Sequence, residues 1–122
     1  MTPSKVLVID SMPQNVRFYH VLLSHEWSGV QVLTSSTALD GIEMAKQEKP
    51  DLVIVEFLNP DVDGFEVIWQ LRAADVPTKN PPDDIMGSEV REEGLRLGAV
   101  AVLDRPLIAE EFYATIQDLP DE

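Results

Sequence analysis

Residues 51–67, "DLVIVEFLNPDVDGFEV", decide how the rest of the chain is read. Four β-formers, Leu52-Val53-Ile54-Val55, run without a polar break, as in a strand covered on both faces of a parallel sheet. Glu56 then stands where such a strand should end. The turn-forming run Asn59-Pro60-Asp61-Val62-Asp63-Gly64 follows, and an amphipathic helix begins near Gly64. The stretch thus predicts a strand over 51–57 and a helix over 64–74, with a carboxylate at the strand tip.

Working outward, Lys5-Val6-Leu7-Val8-Ile9-Asp10 is a second run of the same kind. Ser11 is placed to cap a helix whose first turn tolerates Pro13. Val16, Tyr19, Leu22 and Leu23 recur at helical spacing, which sets that helix at 13–26. Gly29 closes the connection, and Val30-Gln31-Val32-Leu33 reads as a strand. Ser36 or Thr37 caps the next helix, whose apolar side is Ala38, Ile42 and Ala45. Lys46 and Lys49 suit its C-terminal end, and Pro50 stops it. Val100-Ala101-Val102-Leu103 is another short strand, and residues 109–118 form the last helix. Strands alternating with helices imply right-handed crossovers and a parallel sheet sandwiched between helices. Ligands of such sheets sit beyond the carboxyl ends of the strands. Asp10, Glu56 and Asp104 each stand at such an end.

Composition narrows the options. A chain of 122 residues, 44% hydrophobic, is one domain with material for a packed core, and residues 119–122 read as a linker or tail. The formal charge of −13 disfavours nucleic acid and anionic membrane as partners, because phosphate binding needs Lys and Arg clusters. With no cysteine, disulfides and thiolate chemistry are excluded. His20 and His25 lie ~140° apart around one helix, which argues against a shared metal. The Asp61–Gly64 turn lacks the oxygen ligands and closing Glu of a calcium loop, so Asp63 is expected as a helix cap. Trp27 and Trp69 read as packing or partner-contact residues. No apolar run approaches the ~20 residues that span a bilayer, and a cytoplasmic location is the expectation.

Over nearly its whole length the sequence resembles the receiver domains of two-component response regulators. The resemblance is carried by the strand 5–10, Pro50-Asp51-Leu52-Val53-Ile54-Val55, Pro60-Asp61-Val62-Asp63-Gly64-Phe65-Glu66-Val67, Leu97-Gly98-Ala99 and Arg105-Pro106, in that order. It implies a doubly wound, flavodoxin-like (βα)5 fold with strand order 2-1-3-4-5. It also implies a phosphoacceptor aspartate ending the third strand, an acidic pair after the first that binds Mg²⁺, and a lysine before a cis-proline after the fifth. A Thr or Ser on the fourth strand and an aromatic on the fifth would relay the change.

Matched residue by residue, most of these groups are altered, as in a degenerate receiver, or pseudoreceiver. Asp10 fits the first acid, but Ser11 replaces the second. Glu56 occupies the phosphoacceptor position. Arg105 replaces the lysine, and Pro106, expected cis, is kept. Val102 replaces the aromatic. In the segment "VPTKNPPDDIMGSEVREEG", 76–94, Pro81 and Pro82 cannot donate to a central ladder. Either Ile85-Met86-Gly87 is a remnant of the fourth strand with Ser88 as the switch hydroxyl, or that strand is missing. The prolines favour a loop.

These changes bear on chemistry. The family pocket carries two net negative charges; Asp10, Glu56 and Arg105 leave one, and a hard oxygen ligand has become a neutral hydroxyl. Mg²⁺ demands near-octahedral oxygen ligation, so its binding is expected to be weak or absent, with no other cofactor. A carboxylate attacking a phosphoryl group would then meet unshielded charge. Glu56 has two readings: a strand-end carboxylate in a solvated cleft, or the partner of Arg105 in an ion pair of ~0–1 kcal/mol across the old phosphoryl site.

The expectation is therefore a non-enzymatic, phosphorylation-independent interaction module. It would bind a signalling partner or a second copy through the fifth-strand and last-helix face, where Leu107, Ile108, Phe112, Tyr113 and Ile116 are more apolar positions than one buried stripe requires, although core packing is the commoner explanation for them. The alternatives are a phosphoaccepting receiver with unusual ligands, or a flavodoxin-like nucleotide or flavin binder or small phosphatase. The loop after Asp10 has neither phosphate-cradling glycines nor a second Asp two residues on, which counts against the last.

Overall fold

The computed structural model describes residues 1–56, 61, 64–73 and 109–119. In chain order these form β1 (Lys5–Ile9), α1 (Pro13–Glu26), β2 (Gln31–Ser35), α2 (Ala38–Glu48), β3 (Leu52–Val55), α3 (Gly64–Ala73) and α4 (Ala109–Asp118). The expected fourth and fifth strands, segment 76–94, Ser88, Leu97-Gly98-Ala99, Val102, Asp104, Arg105, Pro106, Leu107 and Ile108 lie outside the described residues, as do Asp63 and 120–122.

Three parallel strands in the order β2-β1-β3 make the described sheet, so the chain winds outward from β1 in both directions. Lys5 to Ile9 pair in step with Gln31 to Ser35, and Val6 to Ile9 with Leu52 to Val55. The central position of β1 explains its composition. Val6, Leu7, Val8 and Ile9 are all fully buried, and their alternation sends two side chains to each face. Leu7 and Ile9 join Ala38, Ile42 and Ala45 of α2 and Val67 and Leu71 of α3. Val6 and Val8 join Tyr19 and Leu23 of α1 and Phe112 and Ile116 of α4. Each such side chain taken from water contributes about 1.5–3 kcal/mol before entropy is counted, so β1 is the keel of both half-cores.

The end of the sheet where β1 starts is clipped. The Asp51 carboxylate accepts from the Ser4 N–H at 2.9 Å, the Ser4 hydroxyl at 3.0 Å and the Lys5 N–H at 3.2 Å. The Asp51 N–H returns a bond to the Lys5 carbonyl at 2.9 Å. The β3 strand is shorter than the expected 51–57, covering Leu52–Val55.

Helix starts differ from expectation at one point. Ser11 does not cap α1; Met12 is the N-cap and makes no side-chain cap bond. The Met12 N–H instead donates to Asp10 Oδ1 at 2.9 Å, a turn closed by the side chain two residues back. Pro13 then occupies the first turn, where its missing N–H needs no partner. Thr37 caps α2, accepting from the Asp40 N–H at 3.3 Å. At the other end of α2, Lys49 takes the left-handed conformation at φ 50°, and buried Pro50 follows. Trp27 packs edge-on to Tyr113, ring centroids 5.7 Å apart at 89°. The Tyr113 hydroxyl donates to the Leu22 carbonyl at 2.8 Å, tying α4 to α1.

Candidate functional site

The carboxyl ends of β1 and β3 bring Asp10 and Glu56 to one edge of the sheet. Ile9 pairs with Val55, so the next residue on each strand projects beyond the ladder side by side. The Glu56 N–H donates to the Ile9 carbonyl at 3.0 Å, and the Asp10 N–H to the Ser35 carbonyl at 3.0 Å. Backbone pairing thus fixes both acids before their side chains do anything.

The two carboxylates differ in surroundings. Asp10 is only 1% exposed, and Oδ1 accepts from the Met12 N–H at 2.9 Å and from Asn15 Nδ2 at 3.4 Å. These bonds offset the cost of burying a charge beside an apolar strand. Glu56 is half-buried at the cleft edge. Ser11, in the position where the resemblance implies a second acid, is half-buried beside them. The structure therefore brings Asp10, Ser11 and Glu56 together; the remaining expected pocket residues, Arg105, Pro106, Ser88 and Val102, lie outside the described residues.

Among the described residues no group of three His, Asp or Glu side chains is gathered that could hold a metal ion. One of the two Asp10 oxygens already accepts two hydrogen bonds, and Ser11 offers a neutral hydroxyl.

One residue at this edge has a role the sequence reading missed. Asp61, in the connection between β3 and α3, accepts with Oδ1 from the Ala38 N–H and with Oδ2 from the Leu39 N–H, both at 3.0 Å. A carboxylate on the first two N–H groups of a helix satisfies orphan donors and complements the dipole. Ser35, buried at the end of β2, donates its hydroxyl to the Thr37 carbonyl at 2.7 Å.

Away from the cleft, His20 and His25 are both exposed on α1, as polar residues of a half-exposed helix. The last helix spends its described apolar residues on the core, the commoner of the two uses expected for them. Phe112 and Ile116 are buried in the half-core of β1, and half-buried Tyr113 packs on Trp27. Its exposed residues are Glu110, Glu111, Ala114, Gln117 and Asp118. An amphipathic helix on a sheet presents one apolar stripe inward, and these three side chains fill it. Large exposed apolar side chains occur instead at Met12, Phe18, Val21, Leu39 and Trp69. No helix among the described residues is long and apolar enough to cross a membrane.

Comparison with known proteins gives the same outline. The family model described as "Response regulator receiver domain" matches residues 6–117. Protein PilH of Pseudomonas aeruginosa is 32% identical over 117 residues, covering 93% of this chain and 94% of that protein. Response regulator PleD of Caulobacter vibrioides is 30% identical, but the match takes in 95% of this chain and only 26% of PleD. In fold, a two-component response regulator from Clostridium difficile superposes with a TM-score of 0.79 at 21% identity, covering 93% of each chain. The chemotaxis response regulator CheY4 of Vibrio cholerae superposes at 0.72 and 23% identity, covering 93% of this chain and 96% of its own.

Proposed function

The chain belongs to the response regulator receiver domain family, and we propose that within it this domain is a pseudoreceiver, acting without phosphoryl transfer as a protein-interaction module. One observation carries the reading. At the tips of β1 and β3 the cleft holds Asp10, Ser11 and Glu56, with a hydroxyl where a second acid would bind metal and a glutamate where the acceptor aspartate would stand.

Two physical consequences support it. An added methylene at position 56 moves the carboxylate relative to any nucleophilic geometry built for aspartate, and in-line transfer tolerates little misplacement. A cleft that binds Mg²⁺ weakly leaves the phosphoryl oxygens unshielded from Asp10 and Glu56. Binding therefore rests on the permanent shape of the domain. The partner is a signalling protein or a second copy of the chain. A partner at the fifth-strand and last-helix face would meet the acidic positions Glu110, Glu111 and Asp118 on α4. A complementary basic surface is accordingly expected. Nucleic acid and membrane are disfavoured by the charge of −13.

The test is intact-mass spectrometry after incubation with acetyl phosphate and Mg²⁺, with a calorimetric Mg²⁺ titration alongside. The expected result is an unmodified chain and no saturable Mg²⁺ binding at low millimolar concentration. A stoichiometric phosphoryl adduct mapped to Glu56 would overturn the proposal.

A further inference from the structure

The first turn of α2 is held from two directions, one from the tip of β1 and one from the connection that follows β3. From β1, the Asp10 N–H reaches the Ser35 carbonyl at 3.0 Å, the Ser35 hydroxyl reaches the Thr37 carbonyl at 2.7 Å, and Thr37 caps the helix. From the β3–α3 connection, Asp61 grips the Ala38 and Leu39 N–H groups at 3.0 Å each. Asp61 follows Glu56 by five residues in the same connection. Asp10 of the cleft, and Asp61 of the connection that follows Glu56, thus both lead to residues 37 to 39.

We infer that Asp61 is a positioning residue that couples the Glu56 side of the cleft to the first turn of α2, so that this turn reports what happens at the cleft. Bonds of this type suit a coupler. A side-chain carboxylate on a helix N-terminus is strong enough to set the position of the turn, yet weak enough to be released by a modest perturbation. Asp61 is exposed, so water competes for its oxygens. The turn is also accessible: Leu39, whose N–H Asp61 holds, is 55% exposed. By linkage, anything that shifts the Asp61 contact from the cleft shifts α2, and anything that grips the turn acts back on the cleft. This coupling through Asp61 stands whether or not Glu56 can be phosphorylated.

The experiment is backbone amide NMR of the parent chain, Glu56→Gln, Asp61→Ala and the double variant, with hydrogen exchange on each. In the parent background, Glu56→Gln should displace the Ala38 and Leu39 amide resonances. In the Asp61→Ala background the same change should leave them in place. Asp61→Ala should also speed exchange at these two amides about tenfold, the scale of losing a helix cap. Asp61→Asn, which keeps one acceptor oxygen and the side-chain volume, should fall between and serves if the alanine variant does not fold. Equal displacement of Ala38 and Leu39 with and without the Asp61 carboxylate would overturn the inference. So would exchange at both amides that is indifferent to position 61.

Discussion

Gly41 and Ile9 are packed so closely that a Cβ at position 41 would lie 2.6 Å from both Cδ1 and Cγ1 of Ile9 and 3.2 Å from its Cγ2. The backbone of α2 rests on a fully buried side chain of the central strand. Nothing with a side chain fits between them as they stand, and this sets the spacing of helix and sheet directly below the cleft.

Gly41→Ala is therefore expected to destabilise the domain by about 1–3 kcal/mol, the usual range for overpacking a tight core. Urea unfolding measures it as a lowered midpoint at unchanged slope. Ile9→Ala alone leaves a cavity and also destabilises. In the double variant the new methyl enters that space, so the two losses should sum to more than the loss observed together.

Alkaline pH should weaken the fold through Tyr113. Burial, and secondarily the Glu26 carboxylate, raise its phenol above the ordinary value of 10.0. The folded chain thus holds the proton more tightly than the unfolded one. The stabilising contribution is complete below about pH 10 and disappears as pH climbs through the raised value. Urea midpoints taken across this window should fall for the parent chain, and the tyrosine absorbance change should come late. Tyr113→Phe should lessen the fall, after an initial loss of about 1 kcal/mol for the bond to Leu22.

At the opposite end of the sheet, Asp51→Ala removes the acceptor of three bonds from Ser4 and Lys5. Because Asp51 is exposed, water takes over these donors, and the expected cost is about 1–2 kcal/mol. Exchange of the Lys5 amide should accelerate with it. Ser4→Ala should cost less, since only the hydroxyl bond is lost.

Under the proposed reading, few substitutions should return the family's chemistry. The triple variant Ser11→Asp, Glu56→Asp, Arg105→Lys returns the second metal acid, the acceptor and the lysine. It is expected to gain Mg²⁺ affinity by at least tenfold and to take up one phosphoryl group from acetyl phosphate. Glu56→Asp alone should stay unmodified, because it lacks the second metal acid. Mass spectrometry with and without chelator reads both.

Much of this architecture is legible in the letters. Pro13 and the spacing of Val16, Tyr19 and Leu23 give α1 its observed bounds, and residues 109–118 emerge as α4. Strand ends are less legible, since β-formers continue past the last ladder bond: Phe57 extends the run, yet β3 stops at Val55. Ser11 looks like a cap because its type favours one, but Met12 takes the N-cap position, its N–H held by the Asp10 side chain. Asp61 reads as a turn residue because its partners, Ala38 and Leu39, are remote in sequence. Gly41 carries a signal that goes unused: 38, 41, 42 and 45 fall on one helical face, and a glycine there marks close approach. Apolar periodicity in α4 shows a stripe, and core packing, the commoner use of such a stripe, is what Phe112 and Ile116 do.

The burial of residues 6–9 on both faces of the sheet separates the skeleton of this domain from its business end. Cohesion resides in the shaft of the strand, while positions 10, 11 and 56 occupy the tips, beyond the last paired rung. Such a body can be retooled by exchanging a handful of letters at its rim without having to learn a new way to fold.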